Sequence, residues 1–235
     1  MKKTIVSDII FALSLVLIFL PFILCSELYK WFTWSSTNHA FLMGFLKFAI
    51  LATMGEMLGL RIRKGVYNEA GFGLAPRAVV WGFLGVAITA AIMTFKFGVP
   101  IVADYLFNQS GELVAAMKNP CFTGTKLLGS FSISLMMNCI FAPVFMLYHK
   151  VTDTHIAQTG GTLKGFFTKK IDHPNILQNI NWQVQWNFVF MKTIPFFWVP
   201  AHTVTFILPN EFQVLFAAVL GIVLGVILSI AANKK

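Results

Sequence analysis

The chain has 235 residues, is 57% hydrophobic and 11% charged, and carries a formal charge of +9; its mean hydropathy is +0.75. That composition excludes an ordinary soluble domain, and at about 20 apolar residues per crossing the length holds several membrane spans but no separate soluble domain. The basic residues lie in short loops between apolar runs, so they read as topology signals rather than as a nucleic-acid surface.

Six apolar segments predict six membrane-spanning helices, over 8–28, 39–60, 77–98, 124–148, 184–207 and 210–232. The first resembles a signal peptide, but the run from Ile9 to Leu24 is long and Cys25-Ser26-Glu27-Leu28 offers no small-x-small cleavage site, so it is read as a retained helix. With the N-terminus inside, twelve Lys and Arg fall on inner segments: Lys2, Lys3, Arg61, Arg63, Lys64, Arg77, Lys150, Lys164, Lys169, Lys170, Lys234 and Lys235. Lys30, Lys118 and Lys126 are the three on outer segments. The bias favours six spans with both termini cytoplasmic. The whole chain, 1–235, is then one all-α membrane domain.

In the second span Ala49, Ala52, Thr53 and Glu56 share a side, and Lys47 points the opposite way. The inner loop that follows, 61–76, ends in Pro76, which is placed to start a helix. In the fourth span Lys126, Ser130, Ser134, Asn138 and Ala142 recur every four residues, concentrating polarity along one side. The inner loop 149–183 contains Gly160-Gly161 and a basic, aromatic run from Lys164 to Lys170, to be read either as solvated or as lying on an anionic membrane surface.

Helical arithmetic puts Gln185, Lys192, Val199 and Thr203 on one face of the fifth span with His202 beside them, although Pro195 and Pro200 predict a kink. An interfacial segment near 182–195 followed by one bent crossing is the alternative, and it leaves five spans. The last span carries Ala217, Gly221, Gly225 and Ser229 at intervals of four, a small-residue stripe against which another helix should press.

Ionisable residues inside a membrane usually face a partner, a cavity or the interface. Lys47, Glu56 and Lys192 are the three that matter, with Arg77 at a span entrance; Glu56 and Lys192 entering from the same side predict an ion pair. Glu56, Asn138, Ser134, Lys192 and His202 then line a polar path, and Lys192, Arg77 and Lys47 attract anions. The bland alternative has Lys47 snorkelling outward and Glu56 paired at the inner interface with Arg61 and Lys64. Cys25, Cys121 and Cys139 form no CxxC pair and stand at no metal spacing from a histidine, so neither metal nor cofactor is expected. No HExxH, GxSxG, Walker or dinucleotide motif points to an enzyme.

Several short motifs recur in a familiar order. Gly55-Glu56, the run Met137-Asn138-Cys139-Ile140-Phe141-Ala142-Pro143, then Trp198-Val199-Pro200, Thr205-Phe206, Leu208-Pro209, Asn210-Glu211-Phe212 and Leu228-Ser229 carry a resemblance over about 40–230. The chain resembles the family of the 22-kilodalton peroxisomal membrane protein and its mitochondrial relative Mpv-seventeen. It departs from that pattern with Gln213 where the family has Arg and Leu224 where it has Trp, and 8–28 is an additional helix ahead of a family-like core over 39–232. The resemblance implies weakly selective channel activity and metabolite passage, here in a bacterial cytoplasmic membrane. The expectation is a channel or transporter for small polar or anionic solutes, with membrane lipids and further copies of the chain as partners. The competing readings are a non-transporting scaffold that organises lipids and, third, a membrane-embedded lipid enzyme.

Overall fold

The computed structural model describes residues 2–233, with side chains from 5 to 226. The side chains of Lys2, Lys3 and Ser229, and all of Lys234 and Lys235, lie outside the described residues. Within them the chain is helical, without strands. The elements are α1 (Lys2–Leu24), α2 (Ser26–Asn38), α3 (Ala40–Lys64), α4 (Leu74–Leu106), α5 (Glu112–Lys118), α6 (Gly124–Gln158), α7 (Leu163–Thr168), α8 (His173–Gln178), α9 (Trp182–Val184), α10 (Val199–Ile207) and α11 (Asn210–Asn233). Between α9 and α10 the helix widens into a π-helical segment, Gln185–Trp198.

Four described stretches are long and apolar enough to cross a membrane: Ile5–Leu24, Ala40–Lys64, Leu74–Leu106 and Gly124–Gln158. Asn210–Val226 is a shorter apolar helix. Two elements outrun their expected lengths. The 33 residues of α4 and the 35 of α6 rise about 50 Å each, well beyond a hydrocarbon core of about 30 Å. The inner loop expected to begin at 149 therefore begins after Gln158, and 26–38, expected to be mostly outer loop, is helical.

Local chemistry explains the boundaries. Gly65 ends α3 in the left-handed conformation at φ 79°, its N–H donating to Arg61 O. Thr123 begins α6 by accepting from Lys126 N at 3.0 Å, and Asp172 caps α8 through Asn175 N at 3.2 Å. Gly73 and Gly161, at φ 75° and 67°, meet so closely that a Cβ on Gly161 would stand 2.7 Å from the backbone of Gly71. This contact folds the 65–73 loop onto the end of α6.

The central core joins Phe48, Leu51 and Ala52 of α3, Ala91, Ile92 and Val99 of α4, Ile133 and Met137 of α6, Phe206 of α10, and Ala217 and Ala218 of α11. Small residues let the backbones close up, as association in lipid requires. A Cβ on Gly85 of α4 would stand 2.5 Å from Gly44 O of α3, and one on Gly225 of α11 would stand 3.2 Å from Gly55 O. So α3 is the helix that presses on the small stripe of α11. Gly221 has no such neighbour, because it faces a cavity.

α1 stands apart. Its side chains are mostly exposed, and it is tied to the end of α3 by Arg61, which donates to both Asp8 carboxylate oxygens at 2.7 Å, and by Tyr67 Oη, which donates to Asp8 Oδ1 at 2.9 Å. Burial, then the bond to Asp8, raises the Tyr67 hydroxyl above its ordinary range.

Candidate functional site

A cavity of about 780 Å³ lies among α3, α4, α6, α11 and the π-helical segment. Phe48 and Lys64 both line it; sixteen residues of α3 separate them, about 24 Å of helical rise. It thus runs from the 65–73 loop deep into the bundle. Its two polar regions are built differently.

Near the loop, Glu56 of α3 meets Arg77 and Trp81 of α4 and His149 of α6, and Asp153 of α6 joins them through Arg77. Arg77 Nη1 pairs with both Glu56 Oε2 and Asp153 Oδ1. Trp81 Nε1 donates to Glu56 Oε1 at 2.6 Å, and His149 Nε2 is 3.2 Å from that same oxygen. Arg77 Nε donates to Phe72 O at 2.7 Å, and the guanidinium lies over the Phe72 ring, 4.6 Å from its centroid. Two pairs at i,i+4 make this possible: Arg77 with Trp81, and His149 with Asp153, each presented on one helix face. The loop that the Gly71–Gly161 contact folds inward supplies the Phe72 carbonyl.

Deep in the bundle the groups are uncharged. Asn138 Nδ2 lies 3.1 Å from His202 Nδ1 and donates to Ser134 O at 2.9 Å. Ser134 Oγ donates to Val199 O at 2.7 Å, which stitches α6 to α10. An amide nitrogen is a donor, so His202 Nδ1 accepts and the imidazole proton is assigned to Nε2.

Of the expected path residues, Glu56, Arg77, Asn138 and His202 line this cavity. Ser134 is fully buried behind it as a support. Lys47 is elsewhere, donating to Ser36 Oγ at 2.8 Å with its ammonium over the Phe32 ring, so it clamps α2 to α3 and does not snorkel outward. Lys192 is exposed and does not line the cavity, and the expected Glu56–Lys192 pair is replaced by Arg77, Trp81 and His149 around Glu56. The cause is the π-helix. A proline ring clashes with the carbonyl four residues back, and a wider turn with i→i+5 bonding moves that carbonyl aside. Thr193 Oγ1 accordingly donates to Phe188 O, five residues back, at 3.1 Å. The wider turn ruins the 3.6-residue arithmetic that aligned Lys192 with Gln185: Thr193 faces inward instead.

Gln185, expected on the same face of its span as His202, lines the cavity too, and so do Trp81, His149, Asp153 and Trp198, which helical spacing does not single out. His149 and Asp153 stand at i,i+4 in the sequence, but they fall past the apolar run, in the expected inner loop 149–183. No family model, no curated protein and no solved structure matches the chain.

Proposed function

We propose that this chain is a membrane channel or transporter whose small polar solute occupies the cavity between α3, α4, α6 and α11. The observation that carries the reading is a cavity of about 780 Å³ that penetrates a bundle of apolar helices and has hydrogen-bonding groups both near its loop end and at depth. Interiors ordinarily close to crystal-like density, so a cavity of this size is space for an occupant. Solute passage requires groups that replace water without holding too tightly, and the uncharged Asn138–His202 pair is of that kind.

The proposal places six crossings in a bacterial cytoplasmic membrane, with both termini on the cytoplasmic side. The twelve-to-three distribution of Lys and Arg supports this orientation. It also puts the charged end of the cavity, with Arg63, Lys64 and Lys150 around it, on the cytoplasmic face. The motif order from Gly55-Glu56 to Leu228-Ser229 supports membership of the 22-kilodalton peroxisomal membrane protein family.

Flux of a panel of small solutes into proteoliposomes tests the function, and flux no greater than in protein-free vesicles would refute it. In the same assay Lys192→Met is expected to leave rate and selectivity unchanged, because the side chain lies outside the cavity. A drop of tenfold or more in that variant would restore Lys192 to the path.

A further inference from the structure

The basic, aromatic run from Lys164 to Lys170 is folded into a definite surface. α7 turns straight back from the end of α6: a Cβ on Gly165 would stand 2.4 Å from Thr159 O. His155 Nε2 lies 3.2 Å from Phe166 O, with the two rings edge to face. Phe166 packs against the cluster of Val80, Leu84 and Ile156, which Trp81 and Phe145 also join. Val80 stands about 9 Å of helical rise inside the start of α4, and Phe145 belongs to the apolar run of α6. The fold therefore holds α7 at the level where the bundle enters the bilayer.

The opposite side of α7 is left uncovered. Leu163 and Phe167 stand at i,i+4 on one side of the helix and are 41% and 66% exposed. Lys164, Lys169 and Lys170 beside them are exposed as well, and among the described residues their side chains make no ion pair. Between 159 and 181 the sole acid is Asp172, whose carboxylate caps α8 through Asn175 N, so three lysines less one aspartate leave a net charge of +2. Water around such a face would gain nothing from the leucine and the phenyl ring. At a membrane boundary both halves of the pattern gain, the apolar pair by burial among the acyl chains and the ammonium groups by attraction to phosphate.

We infer that α7 and the Lys169–Lys170 pair form a docking surface for anionic phospholipid, on the face of the bilayer at which α6 ends. Leu163 and Phe167 enter the headgroup boundary, and Lys164, Lys169 and Lys170 pair with lipid phosphates. None of these five residues lines the solute cavity, so the surface stands independently of the transport reading. The anionic charge decides the partner, because each lysine at such a surface strengthens binding roughly fivefold.

The test uses the full chain in nanodiscs, with Cys25, Cys121 and Cys139 replaced by Ser and with Phe167→Cys carrying the polarity-sensitive fluorophore NBD. Adding phosphatidylglycerol to phosphatidylcholine is expected to shift the emission to the blue, and high salt to reverse most of that shift. Lys164→Gln, Lys169→Gln and Lys170→Gln together should abolish the dependence on lipid charge. These side chains are exposed and unpaired, so the fold does not rest on them. A chain that keeps Cys121 as its single labelled thiol, near the other end of α6, should emit alike in both lipids. The inference is overturned if the label at 167 emits alike in both lipids, if salt leaves its shift intact, if the triple glutamine variant keeps the shift, or if the label at 121 shifts as much.

Discussion

Arg77→Met is expected to destabilise the protein by about 3–5 kcal/mol, the usual loss when one member of a buried ion cluster is removed and its partners are left uncompensated. Arg77 joins three elements: Nη1 holds Glu56 of α3 and Asp153 of α6, and Nε holds the Phe72 carbonyl of the loop before α4. Its side chain is 11% exposed, and those of Glu56 and Asp153 are 19% and 29% exposed, so solvent screens the two stranded carboxylates poorly. Arg77→Lys should recover little, because a single ammonium cannot reproduce the planar fork that reaches three acceptors. Adding Glu56→Gln to Arg77→Met should return part of the loss, the sign of direct coupling. Denaturant unfolding in detergent, followed by tryptophan fluorescence, measures each step. A single-mutant loss below about 1 kcal/mol would show that the cluster does not hold the three helices together.

Gly221→Phe is expected to abolish most of the solute flux while leaving the unfolding midpoint close to that of wild type. A Cβ at Gly221 meets nothing within 4 Å, although the residue lines the cavity. A side chain there starts into the cavity instead of against a neighbour, so little overpacking strain is expected. Gly225, one turn further along α11, is the built-in control. A Cβ there comes 3.2 Å from Gly55 O, so Gly225→Phe should destabilise the α3–α11 contact and reveal itself as a folding defect. Flux that survives in a folded Gly221→Phe protein would place the solute's route outside this cavity.

Hydropathy and four-residue spacing are enough to read an all-helical chain with several apolar helices, and of the residues expected along a polar path, Asn138, Glu56 and His202 line the cavity. These properties belong to single helices. Which helices meet belongs to the fold, so Glu56 was matched to Lys192 on the grounds of opposite charge when its partners stand on α4 and α6. Lys47 was correctly placed on the face opposite Glu56, but that face holds α2, a helix whose modest hydropathy hid it in an expected loop. His149 and Asp153 escaped notice because α6 continues past the apolar run that defined it. A constant turn of 3.6 residues puts Lys192 on the face of Gln185, and the segment interrupted by Pro195 and followed by Pro200 does not keep that turn.

The central claim, a solute-accessible cavity open toward the basic loops, is tested most directly by thiol labelling. Gly221→Cys in a chain with Cys25, Cys121 and Cys139 replaced by Ser presents one thiol to the cavity. In oriented vesicles a small membrane-impermeant reagent applied from the side bearing the 65–73 loop is expected to modify it. Complete protection of that cysteine from both sides, in protein that is still folded, would contradict the account.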